Sequence, residues 1–203
     1  STGLHVNRGL NVEGEDLEGV IGGVEFLRKF TLREDVRIGR KAVVIGGGNV
    51  AMDVARSALR LGAESVELVC LEKRDEMPAW EREIEEGLEE GLVFHNSWGP
   101  KRFVGTDGKV SGVEFKRCTD VFDADGRFNP AYDDEDVMEL SCDTVLVAIG
   151  QTSDGPFLAE TGLELLPGGR IMTDPDTLAT SRPGVVAGGD CTLGPATFVQ
   201  AVA

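Results

Sequence analysis

The chain lacks the marks of several common protein classes. No stretch approaches the apolar length of a membrane span, and no signal peptide opens the sequence. Basic residues are scarce: 20 Lys and Arg face 36 Asp and Glu, a formal charge of −16. A nucleic-acid or anionic-membrane partner would need a basic surface, so neither is expected. The four cysteines (Cys70, Cys118, Cys142, Cys191) lie far apart with no CxxC pair. That spacing excludes a disulfide framework, a zinc site and a redox-active dithiol, and leaves them as small buried hydrophobes. His5 and His95 stand alone, so no metal site is expected. Cytoplasm is the expected compartment.

What is abundant is glycine, 27 of 203 residues, in short strings such as Gly46-Gly47-Gly48, Gly168-Gly169 and Gly188-Gly189. Such strings mark sharp turns or close approaches to a ligand. The sequence starts at Ser1-Thr2-Gly3 and stops in the apolar stretch Gln200-Ala201-Val202-Ala203. Uncapped ends of this kind read as cuts in a longer polypeptide.

A turn-rich start leads to Val24–Phe30, which has helical apolar spacing, and the basic stretch Arg37–Lys41 reads as a boundary. Ala42-Val43-Val44-Ile45 is a continuous apolar run ending in three glycines, as expected of a parallel strand buried on both faces. Asn49–Leu61 follows as a helix stopped by Gly62, and Ser65–Leu71 as a second strand. Pro78 opens a glutamate-rich helix ending near Gly91, and Val93-Phe94 begins a third strand. This βαβαβ order predicts a Rossmann-like, doubly wound α/β sheet. Lys101–Lys116 then alternates around Thr106–Lys109 as a hairpin, so an antiparallel β-meander stands where a crossover helix would be. Asp120–Asp136 reads as an acidic loop, and Asp143–Gly150 as another buried strand. Arg170–Thr173 and Gly184–Asp190 are further strand candidates, the second with an acid at its tip. Trp80 and Trp98 are expected to pack.

Gly46-Gly47-Gly48-Asn49-Val50-Ala51 satisfies GxGxxA between a strand and a helix. Gly46 permits the tight turn, Gly48 lets backbone approach a pyrophosphate, and Ala51 keeps the helix close to the sheet. The helix N-terminus offers amide donors and positive partial charge. Alone, the glycine pattern is weak. The flanking strand and helix raise it, as does Glu72, 21 residues beyond Ala51 at the end of the second strand. A carboxylate there accepts hydrogen bonds from the adenosine ribose of NAD and repels the 2′-phosphate of NADP. Lys73 and Arg74 follow directly and are the alternative, a pair that swings round to hold that phosphate. The residues favour NAD, with NADP as the alternative.

Gly46–Asp53, Glu76-Met77-Pro78-Ala79, Ala148-Ile149-Gly150, and Gly188-Gly189-Asp190 followed by Gly194-Pro195-Ala196-Thr197 occur in one order along the chain. On those strings the chain resembles, over essentially its whole length, the flavoprotein family of the glutamate synthase small subunit. That family belongs to the pyridine nucleotide–disulfide oxidoreductase fold superfamily, in which an NAD(P) domain interrupts an FAD domain. The resemblance implies that residues 36–150 form the NAD(P) domain, while 1–35 and 151–203 are returning segments of the FAD domain. It also implies that Thr2-Gly3, Gly189, Asp190, Ala196 and Thr197 face FAD, with Ile149 and Gly150 at the cofactor side of the last buried strand. Two departures stand out. The family's N-terminal FAD fingerprint and any iron–sulfur segment are absent from these residues, so the piece alone should hold FAD poorly. The paired arginines of NADPH-using members align with Leu71 and Glu72 here, which again favours NAD.

The implied activity is hydride transfer between nicotinamide and FAD, with electrons passed on to an iron–sulfur domain or subunit. The cofactors carry that chemistry, so no catalytic residue is expected. The partners implied are the remainder of the FAD domain and that iron–sulfur protein. Alternatives are an NADH-binding sensor without turnover and an NADPH-specific glutamate synthase-type reductase. An ordinary dehydrogenase lacks support, because no catalytic His, Tyr-Lys pair or zinc cluster is present.

Overall fold

The computed structural model describes residues 3–202. In chain order the elements are β1 (Val6–Asn7), β2 (Val20–Gly22), α1 (Gly23–Leu32), β3 (Lys41–Ile45), α2 (Asn49–Arg60) and β4 (Ser65–Cys70). Then come α3 (Glu81–Glu89), β5 (Val93–Asn96), β6 (Trp98–Thr106), β7 (Lys109–Phe122), β8 (Phe128–Ser141), β9 (Thr144–Val147) and β10 (Gln151–Thr152). Three short helices close the order: α4 (Gly155–Glu160), α5 (Asp190–Leu193) and α6 (Phe198–Val202). Contacts separate two compact units, residues 9–149 and residues 3–8 with 150–202.

The larger unit holds a five-stranded parallel sheet in the order β2-β9-β3-β4-β5. The uniform apolar run of β3 is explained by its two buried faces. Ala42 and Val44 point into a core with Phe26, Met52, Leu68, Ile84 and Leu146. Val43 and Ile45 point into a second core with Phe103, Val113, Phe115 and Trp98. The first core is covered by α1, α2 and α3; the second is covered by the antiparallel sheet β6-β7-β8. Each fully buried Phe or Leu contributes about 1.5–3 kcal/mol of transfer free energy, which makes these two layers the main source of cohesion. On α2 the buried positions are Ala51, Met52, Val54, Ala55, Ser57 and Ala58, small enough to let the helix lie close to the sheet.

Most expected elements are present, with instructive differences. The helix after Pro78 begins at Glu81 rather than at the proline. The strand β2 and helix α1, expected with the FAD-domain segment, join the larger unit through the pairing of β2 with β9. The acidic loop expected over 120–136 is instead a second hairpin, with only the tip Asp123–Arg127 between β7 and β8. The acids there are cross-strand partners: Asp134 lies 3.1 Å from Lys116, and Asp136 lies 2.9 Å from Arg117. Pro130 does not stop the strand because β8 is an edge, where a missing N–H breaks no ladder.

Trp98 is buried, with the Arg117 guanidinium 3.7 Å over its ring, but Trp80 is 63% exposed and does not pack as expected.

The smaller unit is built around Leu158, Ile171 and Cys191. Its β1 and β10 pair antiparallel over two residues each. The strands expected at 170–173 and 184–190 are reduced to the isolated bridges Leu165–Ile171, Thr173–Thr180 and Ala179–Val186. Among the described residues no helix is long and apolar enough to cross a membrane. Nor, among them, is any group of three or more His, Cys, Asp or Glu placed to hold a metal ion.

Candidate functional site

From Ile45 the chain turns through Gly46, Gly47 and Gly48 into α2. Gly46 has φ +142°, and a Cβ on it would overlap the carbonyl oxygen of Ala148. The turn stands at the carboxyl end of β3, where the sheet order changes direction. On one side β4 and β5 follow in sequence; on the other lies β9. In open parallel sheets, ligands bind in the crevice outside the strand ends at such a point.

Gly48 behaves differently from Gly46. Its φ is −95°, and a Cβ there would meet no atom within 4 Å. Gly48 is also the N-cap of α2, with no side-chain cap and no acid in the first turn. A twelve-residue helix therefore presents uncapped amides and the positive end of its dipole to open space, the arrangement an anionic pyrophosphate needs.

The Asn49 side chain is committed elsewhere: its Oδ1 accepts a hydrogen bond from Trp80 N at 2.8 Å. Ala79 N donates to the Gly47 carbonyl at 3.0 Å. The segment Met77–Trp80 thus straps the glycine turn from outside, a role sequence reasoning missed although Glu76-Met77-Pro78-Ala79 was conspicuous. Val50 is half-buried and packs on the helix-side core.

Glu72 lies two residues beyond β4. Its carbonyl accepts from Ser97 N at 3.0 Å and from Asn96 Nδ2 at 3.1 Å, so the tip of β5 holds it in place. Its carboxylate reaches over the glycine turn: a Cβ on Gly47 would stand 2.6 Å from Glu72 Oε2. Arg74 is turned away, with its guanidinium 2.6 and 3.0 Å from the two carboxylate oxygens of Glu81, a pairing that pushes the arginine pKa up. Lys73 Nζ lies 3.6 Å from Glu76.

Beside Glu72 opens a cavity of about 330 Å³, lined among others by Leu71, Lys73, Ser97, Asp120 and Phe122. Burial pushes the Cys118 thiol up at its base, and the Glu72 and Asp120 carboxylates push it further. The end of β7 was missed from sequence because its acids read as a loop. Ser97 lines this cavity too, its amide donating to the Glu72 carbonyl. Ile149 follows β9 and packs on the meander-side core.

The remaining expected site residues lie in the smaller unit. Gly150 has φ +108° and Gly3 φ +43°; Thr2 lies outside the described residues. Gly189 caps the single turn α5, which Asp190 opens. Ala196 and Thr197 are exposed, and Thr197 N and Oγ1 are bonded to Gln200 Oε1 at 3.0 and 2.9 Å. Among the described residues no helix of this unit exceeds six residues, so it offers an FAD pyrophosphate no cradle like the one at α2.

A twisted parallel sheet with an uncapped glycine turn at its switch point and an acid on the next strand defines a dinucleotide-binding α/β protein. More narrowly, the pattern of the family described as "Pyridine nucleotide-disulphide oxidoreductase" matches residues 1–203, and the chain belongs to that family. The beta subunit of an NADP(+)-dependent formate dehydrogenase from Moorella thermoacetica is 43% identical, over 100% of this chain and 29% of that protein. An NADPH-Fe(3+) oxidoreductase subunit beta from Geobacter sulfurreducens is 34% identical, over 98% and 34%. A glutamate synthase [NADPH] small chain from Azospirillum brasilense is 31% identical, over 100% and 45%. This chain therefore spans less than half the length of these relatives. In structure it is similar to a thioredoxin reductase from T. acidophilum, with TM-score 0.74 and 23% identity over 97% of this chain and 58% of that one. The glutamate synthase-type resemblance and the α/β fold with an antiparallel meander are thus both supported.

Proposed function

We propose that this chain is the nicotinamide-dinucleotide-binding part of a flavin-dependent oxidoreductase, and that it takes NAD(H). The observation that carries the reading is the Glu72 carboxylate over Gly47, beside an uncapped helix N-terminus. In that place a carboxylate accepts hydrogen bonds from ribose hydroxyls and opposes a 2′-phosphate. Glu72, Glu76 and Asp120 line the adjoining cavity against Lys73 alone, and Arg74 is paired with Glu81. The cofactors, when bound, supply hydride transfer between nicotinamide and FAD. The chain's own residues bind and orient: Gly46–Val50 cradle the pyrophosphate, Glu72 holds the ribose, and Ile149-Gly150 border the nicotinamide. Gly3, Gly189, Asp190, Ala196 and Thr197, with Thr2, contribute to an FAD site that the remainder of an FAD domain completes. Electrons then pass to an iron–sulfur domain or subunit; the formate dehydrogenase and Fe(3+) oxidoreductase relatives are each named as a beta subunit, which supports a partner chain.

A second reading has its own support: all three relatives above carry NADP or NADPH in their names. In that reading Lys73 and Arg74 leave their carboxylates to hold the 2′-phosphate. Calorimetric titration of the protein and of Glu72→Ala with NADH and NADPH separates the two. NADH binding more tightly, with the preference lost in the variant, supports the first. Tighter NADPH binding in the unaltered protein refutes it. The redox step is tested by anaerobic mixing of NADH with the flavin-loaded full-length protein; a flavin band that fails to bleach rules hydride transfer out.

A further inference from the structure

The expected site residues account for pyrophosphate and ribose but leave the adenine without a partner. Yet the cavity beside Glu72 continues past the ribose acid to Asp120–Phe122 at the end of β7, a segment the glycine-turn pattern does not address. Its walls there are of two kinds. Leu71, Val121 and Phe122 are apolar; Ser97 and Asp120 are polar. At about 330 Å³ it lies at the small end of ligand pockets, in keeping with one nucleoside rather than a whole dinucleotide.

Phe122 lines this cavity. It is 57% exposed although it borders a cavity, and the ring of Phe128 across the hairpin meets it edge-on, with centroids 6.2 Å apart and planes at 77°. An edge-to-face neighbour holds an aromatic ring in one orientation. The residue is also held by strand pairing, since Phe122 is the register partner of Phe128. A fixed aromatic ring, exposed at the mouth of a nucleoside-sized cavity that also contains a ribose acid, suits a purine. A purine face stacks on aromatic side chains for about 1–3 kcal/mol per base.

We propose that the end of β7 is the adenine subsite of this protein, with Phe122 as the stacking platform and Leu71 and Val121 as the apolar surround. The antiparallel meander then recognises ligand as well as covering the sheet. This inference rests on the dinucleotide reading above, and the test keeps the two apart.

Three ligands are titrated against the purified protein and the variants Phe122→Ala and Phe122→Trp. NADH carries both halves of the dinucleotide, ADP-ribose only the adenosine half, and reduced nicotinamide mononucleotide only the other. Phe122→Ala is expected to weaken NADH and ADP-ribose by the same factor, roughly 5- to 150-fold from the stacking range. It should leave the mononucleotide unaffected, and Phe122→Trp should restore binding. Losing the edge contact with Phe128 should lower the thermal unfolding midpoint of Phe122→Ala by only a few degrees, about 1–5 °C, while the protein stays folded at the titration temperature, which separates loss of stacking from loss of fold. Unaltered ADP-ribose affinity in Phe122→Ala, in a protein that binds NADH, overturns the adenine subsite alone. An unaltered protein that binds neither NADH nor NADPH overturns the dinucleotide reading and this inference together.

Discussion

Replacing Gly46 and Gly48 one at a time with alanine separates what the turn does for the fold from what it does for a ligand. Gly46 sits at φ +142°, where an L side chain is strained by about 1–3 kcal/mol. Its Cβ would also stand 2.9 Å from the carbonyl carbon of Ala148, and nearer still to the oxygen. Those atoms are backbone, tied by the hydrogen bond from Ala148 N to Ile45 O at 2.8 Å, so they cannot yield cheaply. Forced overpacking adds about 1–3 kcal/mol. For a chain of this length each kcal/mol lowers Tm by about 2–4 °C, so Gly46→Ala should melt on the order of 10 °C lower.

Gly48→Ala should do the opposite. At φ −95° and ψ 175° any residue is at ease, and the new Cβ meets nothing. Stability should change by less than about 1 kcal/mol, since a freer unfolded glycine and a lost N-cap preference offset each other. The same methyl group, however, occupies the space through which a pyrophosphate approaches the backbone. Dinucleotide affinity should fall at least about tenfold, equivalent to 1.4 kcal/mol. Differential scanning calorimetry reads the first effect and nucleotide titration the second. A Gly48→Ala protein that binds NAD(H) as before would refute the reasoning, as would a Gly46→Ala protein of unchanged Tm.

Three further outcomes are expected. Arg56 on α2, only 15% exposed, lies 2.9 Å from Glu83, 2.9 Å from Glu86 and 2.7 Å from Glu90 on and just after α3. Arg56→Ala strips Glu83 of its cation and leaves Glu86 to Arg82 and Glu90 to Arg60, and should cost about 1–3 kcal/mol in urea unfolding, between the exposed and buried limits for ion pairs; a midpoint shift within error would count against it. Stability should fall with acid. Arg56 holds the Glu90 carboxyl below its usual range, and Lys101 with Arg102 does so for Glu114. A depressed folded pKa stabilises above the unfolded value of about 4.3 and is lost as pH falls through the folded value. The decline should therefore steepen below about pH 4 and be weaker in high salt; a flat profile there contradicts it. Burial pushes the Cys70 and Cys142 thiols up to about 12, so neither should be alkylated at pH 8 until the protein is unfolded, as mass spectrometry would read.

The parts of this protein legible in its sequence are those where a single physical demand sets residue type. A strand buried on both faces must be apolar at every position, and Ala42–Ile45 is. A turn that brings the backbone against Ala148 must be glycine, and Gly46 is. The β7–β8 hairpin was hidden because its outer face answers to solvent and to Lys116 and Arg117, so its acids look like those of a loop. Pro130 reinforced that impression, and only the edge position of β8, a property of the whole sheet, makes it tolerable. Asn49 shows a subtler limit. Its place at the helix start fits a ligand contact, yet its side chain serves Trp80 N, a partner 31 residues away that local pattern does not reveal. The exposed Trp80 follows from the same contact: the strap offers its backbone to the turn and leaves its indole in solvent.

Cofactor choice at such a site rests on small differences. The Arg74–Glu81 pair is at the surface, with side chains 38% and 64% exposed, and a pair so placed is worth no more than about 1 kcal/mol. Releasing Arg74 towards a 2′-phosphate is therefore inexpensive, and the pairing alone does not exclude NADP(H). The proposed preference therefore rests on Glu72. Its backbone is fixed by Ser97 and Asn96, and its carboxylate lies against Gly47, where no side chain opposes it. An acid held there faces a second phosphate at short range in a partly enclosed cavity, where repulsion is larger than at an open surface. On the proposed reading, an acid at position 72 favours the unphosphorylated ribose, and Glu72, rather than Lys73 or Arg74, is the residue whose replacement is expected to shift the preference towards NADP(H).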